Sequence, residues 1–396
     1  MGKGRNRLLD GELRRMTMFT LIRNAHVYAP EDLGIRDVLI CNERIVKVAE
    51  HIDFEWDADD FTQIDGSGKK LVPGFIDQHV HIIGGGGEDG FASLIREIQM
   101  TDCVRYGVTS VIGVLGTDSN AKSVESIVAR AKALREQGMS AWCLTGSYAY
   151  PSTTLTGSVA RDIAFLEEVI GVKIAISDHR SSNISAEELA RLATQARTAG
   201  FLAKKPGVVH MHTGRGKKGL TDILKIADET DIPITQFRPT HVSKNMPGFD
   251  EFAQRGGYLD FTSGIRTAET AERIADALKT VNLKQITLSS DSNGSFPKWS
   301  ADMKIIGMGV GKMETLFDTI RHLILDQNIS ISDAISIITC NVADALMLDQ
   351  KGRIAKDKDA DLVLLNENLE ITDVFARGKQ VLRDSQLCVK NYYEYE

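Results

Sequence analysis

No stretch of the chain holds the ~20 consecutive apolar residues that a membrane span requires. The basic N-terminal run MGKGRNRLLDGELRRM is not followed by an apolar segment of signal-peptide length, and residues 1–17 are expected to be a flexible extension. The five cysteines (Cys41, Cys103, Cys143, Cys340, Cys388) are scattered, odd in number and form no C-x-x-C. That argues against a disulfide framework or a zinc ribbon and for a reducing compartment, the cytoplasm. An excess of basic residues is missing too: 47 Lys and Arg stand against 54 Asp and Glu, a net charge of -7, so no nucleic acid or membrane surface is expected as a partner. Sequence repeats and low-complexity tracts are absent as well. What remains is a 396-residue chain, 42% hydrophobic and 26% charged, able to bury a large core in one big domain plus a smaller one.

Residues 18–70 read as short strands with polar turns, and residues 350–390 show the same alternation, with Gly378 at a hairpin turn. The two ends are expected to pair into one small β domain, a β-sandwich. Between them, across residues 71–349, eight apolar runs alternate with helical stretches: Phe75–His81, Thr109–Leu115, Ala141–Ser147, Val172–Ser177, Val208–His212, Thr235–His241, Tyr258–Thr262 and Ile286–Asp291. Eight such units predict a TIM-type (β/α)8 barrel of the α/β class. One intervening helix, Ser185–Gly200, opens on a Ser185/Glu188 capping box and is expected to close at the glycine.

In a barrel the chemistry gathers at the C-terminal ends of the strands. GFIDQHVH puts His79 and His81 on one face of the first strand, ~7 Å apart, a spacing that can clamp one metal ion. An isolated H-x-H is equally compatible with two core histidines. Its weight comes from what lies at the other strand ends: Lys173 on the fourth, His212 on the fifth, His241 on the sixth and Asp291 on the eighth. Lys173 is the odd member, since an ammonium inside a barrel repels cations. Burial favours its neutral amine, which can take up carbon dioxide as a carbamate whose two oxygens bridge a metal pair. Standing alone, it would read as a lysine snorkelling to the barrel mouth.

Seven segments carry a resemblance: PGFIDQHVHIIGGGGEDG, VLGTDS, LTGSYAYPS, GVKIAISDHRS, KPGVVHMHTG, RPTHVSKN and LSSDSNGS. Through them the chain resembles the amidohydrolase superfamily, and within it the bacterial isoaspartyl (β-aspartyl) dipeptidases, over nearly its whole length after about residue 18. The resemblance implies a binuclear zinc hydrolase that cuts the isoaspartyl bond of dipeptides and works as a homo-oligomer, an octamer. One zinc would be held by His79, His81 and Asp291, the other by His212 and His241, with carboxylated Lys173 and a hydroxide bridging both. Asp291 would carry the proton from water to leaving amine, and Tyr148 would hydrogen-bond the tetrahedral oxyanion; without the resemblance Tyr148 is simply a core aromatic. Glu88 would bind the free α-amine and Arg180 the α-carboxylate, with Gly86, Thr117, Lys244 and Ser295 as further substrate contacts.

Two features depart from the family pattern. Lys244 stands where the family carries an arginine, keeping the charge without the bidentate fork. His210 shares a strand face with His212 and competes with it as a ligand; His212 is preferred because it lies nearer the strand end. A cyclic amidase or dihydroorotase-like enzyme would share the metal site but not need Glu88 together with Arg180; an N-acyl amino acid deacylase is a further alternative, and a non-catalytic scaffold of the same fold should have lost ligands, of which none is missing. Gly85, Gly87 and Gly90 spell G-x-G-x-x-G, yet no acidic residue follows at the spacing that would hold a ribose. The glycines are read instead as letting backbone approach the substrate.

Overall fold

The computed structural model describes residues 18–56, 59–300, 302 and 305–392; the extension expected at 1–17 lies outside them. Eight strands pair in chain order into one parallel sheet: β1 (Phe75–Val80), β2 (Val108–Gly113), β3 (Ser140–Gly146), β4 (Val169–Ile176), β5 (Val208–Thr213), β6 (Phe237–Thr240), β7 (Leu259–Thr262) and β8 (Ile286–Ser289). Every residue of β1, β2, β4, β5, β6 and β8 is buried, as a parallel sheet covered on both faces requires. The seam between β8 and β1 is nearly closed by a bridge from Val80 to Ser292, where the His81 N–H donates to the Ser292 carbonyl at 2.9 Å. The barrel expected from the eight apolar runs is therefore present.

Strand limits differ from expectation by a few residues, for local reasons. Residues Ile234–Gln236 form a 3-10 turn after Pro233, so β6 begins at Phe237. At the end of β8 the Ser290 N–H is taken by the Asp77 carboxylate at 3.2 Å, and Asp291 turns to φ 54°, so the ladder stops at Ser289. The helix capped by Ser185 and Glu188 runs on to Ala203, past Gly200. Within the helix Gly200 serves packing, since a Cβ there would come within 2.9 Å of Gly207 Cα.

The two ends of the chain share a nine-stranded sheet. Lys70–Pro73 from the first segment pairs antiparallel with Leu362–Leu365 from the last, Val72 opposite Val363. Gly378, at φ 76°, turns the hairpin between Ile371–Ala376 and Lys379–Arg383. A further hairpin, Ser295–Trp299 with Ile305–Val310, follows β8 directly. Among the described residues no helix is long and apolar enough to cross a membrane.

Candidate active site

The C-terminal ends of the barrel strands bring histidines, a lysine and a carboxylate into one buried cluster. His79 is fully buried on β1, and its Nε2 lies 3.5 Å from Asp291 Oδ1. His81 Nε2 is 3.1 Å from the same oxygen, and His241 Nε2 is 4.0 Å from Asp291 Oδ2. The His79 and His241 rings are 5.1 Å apart, those of His212 and His241 4.6 Å. His241 and Asp291 both take left-handed backbone, φ 62° and 54°. Strain of this kind in non-glycine residues collects at functional sites, and here it re-aims the two side chains just past the ends of their strands.

The electrostatics suit metal ligation. Burial holds His79, His210 and His241 well below the ordinary imidazole range, with the Lys173 charge adding to the effect, and burial brings His212 down to about 4. Neutral imidazole is the form that binds metals. Burial raises the Asp291 carboxyl, but the neighbouring His81 and the charges of His241 and Lys173 outweigh it, so its pKa falls below the usual value and it stays ionised. Lys173 is fully buried, and burial lowers its ammonium to about 7 against the opposing pull of Asp291 and Asp260. Its Nζ lies 3.4 Å from both ring nitrogens of His79, too even an approach for one good hydrogen bond.

A divalent ion fits this donor set. His79, His241 and Asp291 each offer a ligand atom, all within 4.8 Å of one another. His81 Nδ1 is buried without a hydrogen-bond partner, a costly state unless something else engages it. His210 and His212 are separated in depth. His210 is paired with Lys173 across the ladder and its Nε2 meets His79 Nδ1 at 2.8 Å. His212, two residues nearer the mouth, has Nδ1 2.6 Å from the Tyr148 hydroxyl and Nε2 2.9 Å from Asp178 Oδ2. Burial keeps the Tyr148 phenol well above its usual range, hence a proton donor.

Glu88 gathers the second group of expected residues. Its Oε2 accepts from Ser295 Oγ at 2.7 Å, and its Oε1 lies 3.3 Å from Thr117 Oγ1 and 3.4 Å from Arg180 Nη1. The Arg180 guanidinium also sits over the Tyr148 ring, 5.3 Å from its centroid. Gly86, Glu88 and Thr117 line one cleft with Gly87, Phe91, Asp118 and Asn120. Gly86 has φ 84°, and a Cβ there would meet the Ser93 carbonyl at 2.3 Å. The glycine run leads into the three-residue 3-10 helix Phe91–Ser93 and not into an α-helix, so it has no α-helix N-terminus to cradle a pyrophosphate.

Lys244 is placed differently from the rest: its Nζ donates to Asp276 Oδ2 at 3.0 Å. Two residues of the site were not singled out in the sequence. Lys122 Nζ donates to the carbonyls of Gly84 and Gly85, the latter at 2.8 Å, and so pins the glycine loop. Asp178 holds both His212 and Arg180; its only sequence signal is its place two residues before Arg180 in SDHRS.

Residues 71–381 match the model of the amidohydrolase family. The crystal structure of β-aspartyl dipeptidase from Fervidobacterium islandicum AW-1, in complex with a β-Asp-Leu dipeptide, is similar to this chain with a TM-score of 0.89 and 38% identity, covering 95% of this chain and 100% of that one. Dihydropyrimidinase from Brevibacillus agri NCHU1002 shares the fold, with a TM-score of 0.65 at 19% identity, covering 94% of this chain and 96% of that one. Adenine deaminase from Bacillus pumilus (strain SAFR-032) is 23% identical over 359 residues, 88% of this chain and 55% of that protein. The chain thus spans about half the length of that curated relative.

Proposed function

The chain belongs to the amidohydrolase family, and from that premise we propose that it is a metal-dependent dipeptidase hydrolysing the β-aspartyl bond of dipeptides. The observation that carries this reading is the opposed pair Glu88 and Arg180, 3.4 Å apart, joined through Asp178 and His212 to the metal-ready cluster. A β-linked aspartyl residue keeps its α-amine and α-carboxylate on one carbon, both free, while the scissile bond leaves from the side chain. An anion and a cation side by side match that head group. An ordinary α-linked dipeptide has spent its first α-carboxyl on the peptide bond and cannot satisfy both. The similarity to the F. islandicum enzyme, crystallised with β-Asp-Leu, points the same way.

In this reading His79, His81 and Asp291 would hold one zinc ion and His212 and His241 a second, and Lys173, whose ammonium burial lowers to about 7, would serve both once carboxylated. Such ions would supply Lewis acidity toward the scissile carbonyl and a water of lowered pKa. Asp291, ionised at the barrel mouth, accepts the proton of the attacking water and returns it to the departing amine, base and then acid. Tyr148, kept protonated by burial, donates a hydrogen bond to the oxygen on which charge develops. Ser295 and Thr117 hold Glu88 in place through the contacts at 2.7 and 3.3 Å, and Gly86 lets the loop backbone close on the substrate. Lys244 belongs to the substrate set only if it leaves Asp276. A cytoplasmic homo-oligomer, the octamer that the resemblance implies, completes the proposal; the five free cysteines agree with a reducing location.

The test is a comparison of kcat/KM on β-Asp-Leu and α-Asp-Leu. The β-linked dipeptide is expected to be cut and the α-linked one left at least 100-fold behind, about 2.7 kcal/mol of discrimination. Equal rates, or cleavage of a cyclic amide with neither dipeptide cut, would replace this reading with a broader amidase.

A further inference from the structure

Asp178 stands two residues beyond the end of β4, after Ser177 at φ 52°, and its side chain is 7% exposed. Its two oxygens divide their work. Oδ1 accepts from the Arg180 backbone N–H at 2.8 Å and from Arg180 Nε at 3.0 Å. Oδ2 accepts from Arg180 Nη2 at 3.1 Å and lies 2.9 Å from His212 Nε2.

We propose that Asp178 is a positioning residue that fixes His212 in its Nε2–H tautomer and, through the same carboxylate, locks the pose of Arg180, coupling the second metal position to substrate-carboxylate recognition. An ionised carboxylate only accepts hydrogen bonds, so the nitrogen facing Oδ2 carries the imidazole proton. Arg180 Nη2 is also 3.2 Å from that nitrogen. A nitrogen whose proton points at a carboxylate has no lone pair to offer, so Nη2 donates to Oδ2 instead. In a neutral ring the lone pair is then left on Nδ1, the atom 2.6 Å from the Tyr148 hydroxyl, and Nδ1 becomes the nitrogen available to a metal. Carboxylates that orient ligating histidines in this way are worth about 10- to 100-fold in metal affinity.

The metal half of the inference stands on geometry, and the Arg180 half rests on the dipeptidase reading above. In Asp178→Asn the amide oxygen can keep the two Oδ1 contacts, while its NH2 group faces His212 Nε2. The ring must then accept, the proton moves to Nδ1, and the metal-facing lone pair is lost. Zinc in the purified full-length protein, followed through a chelator series, is expected to fall from two toward one per chain in this variant, with affinity at the weaker site reduced about 10- to 100-fold, and KM for β-Asp-Leu is expected to rise. Arg180→Met is expected to raise KM while holding zinc as the wild type does, and Asp178→Glu to recover part of the zinc retention. Wild-type zinc retention in Asp178→Asn, or equal zinc loss in Arg180→Met, would overturn the proposal. Selective 15N-histidine NMR of the wild-type protein needs no variant to fold: an Nδ1–H signal assigned to His212 would refute it on its own. None of the zinc or NMR readings uses substrate, so failure of the wild type to cut β-Asp-Leu would count against the proposed function alone.

Discussion

Replacing Glu88 by glutamine tests whether this carboxylate reads the free amine of the substrate. Its side chain is 20% exposed and now balances Arg180 at 3.4 Å, and it accepts a short bond from Ser295. A substrate ammonium would take the place of Arg180 beside Glu88, freeing the guanidinium for the α-carboxylate next to it. A hydrogen bond to a charged group contributes about 1.5–3 kcal/mol, equivalent to about 10- to 150-fold in kcat/KM. Partial exposure screens the pair and moves the expectation for Glu88→Gln toward the lower half of that range. Because the amine lies off the reacting bond, the loss should fall on KM more than on kcat. The assay measures initial rates on β-Asp-Leu and on its N-acetyl derivative for both proteins. Wild type should cut the acetylated substrate at least 100-fold less well, and the ratio should shrink in Glu88→Gln, since an amide no longer distinguishes a charged amine from a neutral one. Equal cleavage of free and acetylated dipeptide by the wild type would refute the argument, because the anion at the cleft would then have no ammonium to recognise.

The barrel was legible because eight short, largely apolar runs recur between helical stretches, so β1 to β8 could be placed to within a few residues from runs alone. Alternation likewise put His79 and His81 on one face. What alternation does not carry is depth. His210 and His212 share a face equally well, and only the pairing of His210 with Lys173 across the ladder sends one histidine down to His79 and the other up to Tyr148. Partners distant along the chain were invisible for the same reason. Lys244 could be identified as a cation near the sixth strand end, but nothing local points to Asp276, 32 residues on, as its partner. Asp178 does not stand out in the sequence because an aspartate just past a strand is usually a cap. It does accept the Arg180 backbone N–H as a cap would, and its other oxygen, facing His212, distinguishes it only once β4 and β5 are side by side.

Lys173→Ala should lose most bound zinc and activity, with partial recovery when a short carboxylic acid is added with zinc; full activity without it would remove the carbamate from the scheme. Asp291→Asn should keep the fold, by far-ultraviolet circular dichroism, and at least one metal, while kcat falls on the order of 10²–10⁴-fold; near-normal kcat would leave Asp291 as a rim cap and send the proton by another route. The last expectation follows from the Lys173 amine itself, which burial lowers from 10.5 to about 7. Between those two values the unfolded chain binds a proton there that the folded chain does not, so folding stability of the chelator-treated, carbon-dioxide-free protein must rise with pH across that window. Below about 7 both states are protonated and above 10.5 both are neutral, and this contribution is flat. Urea midpoints at pH 6.5, 8 and 9.5 should therefore climb in the wild type and lose that slope in Lys173→Met. Reactivation of the stripped protein by zinc at a fixed partial pressure of carbon dioxide should be faster at pH 8 than at 6.5, because only the neutral amine attacks carbon dioxide. Parallel stability profiles for the two proteins would mean that Lys173 keeps its proton in the fold, and a lysine that keeps its proton cannot become the shared anionic ligand proposed for the metal pair.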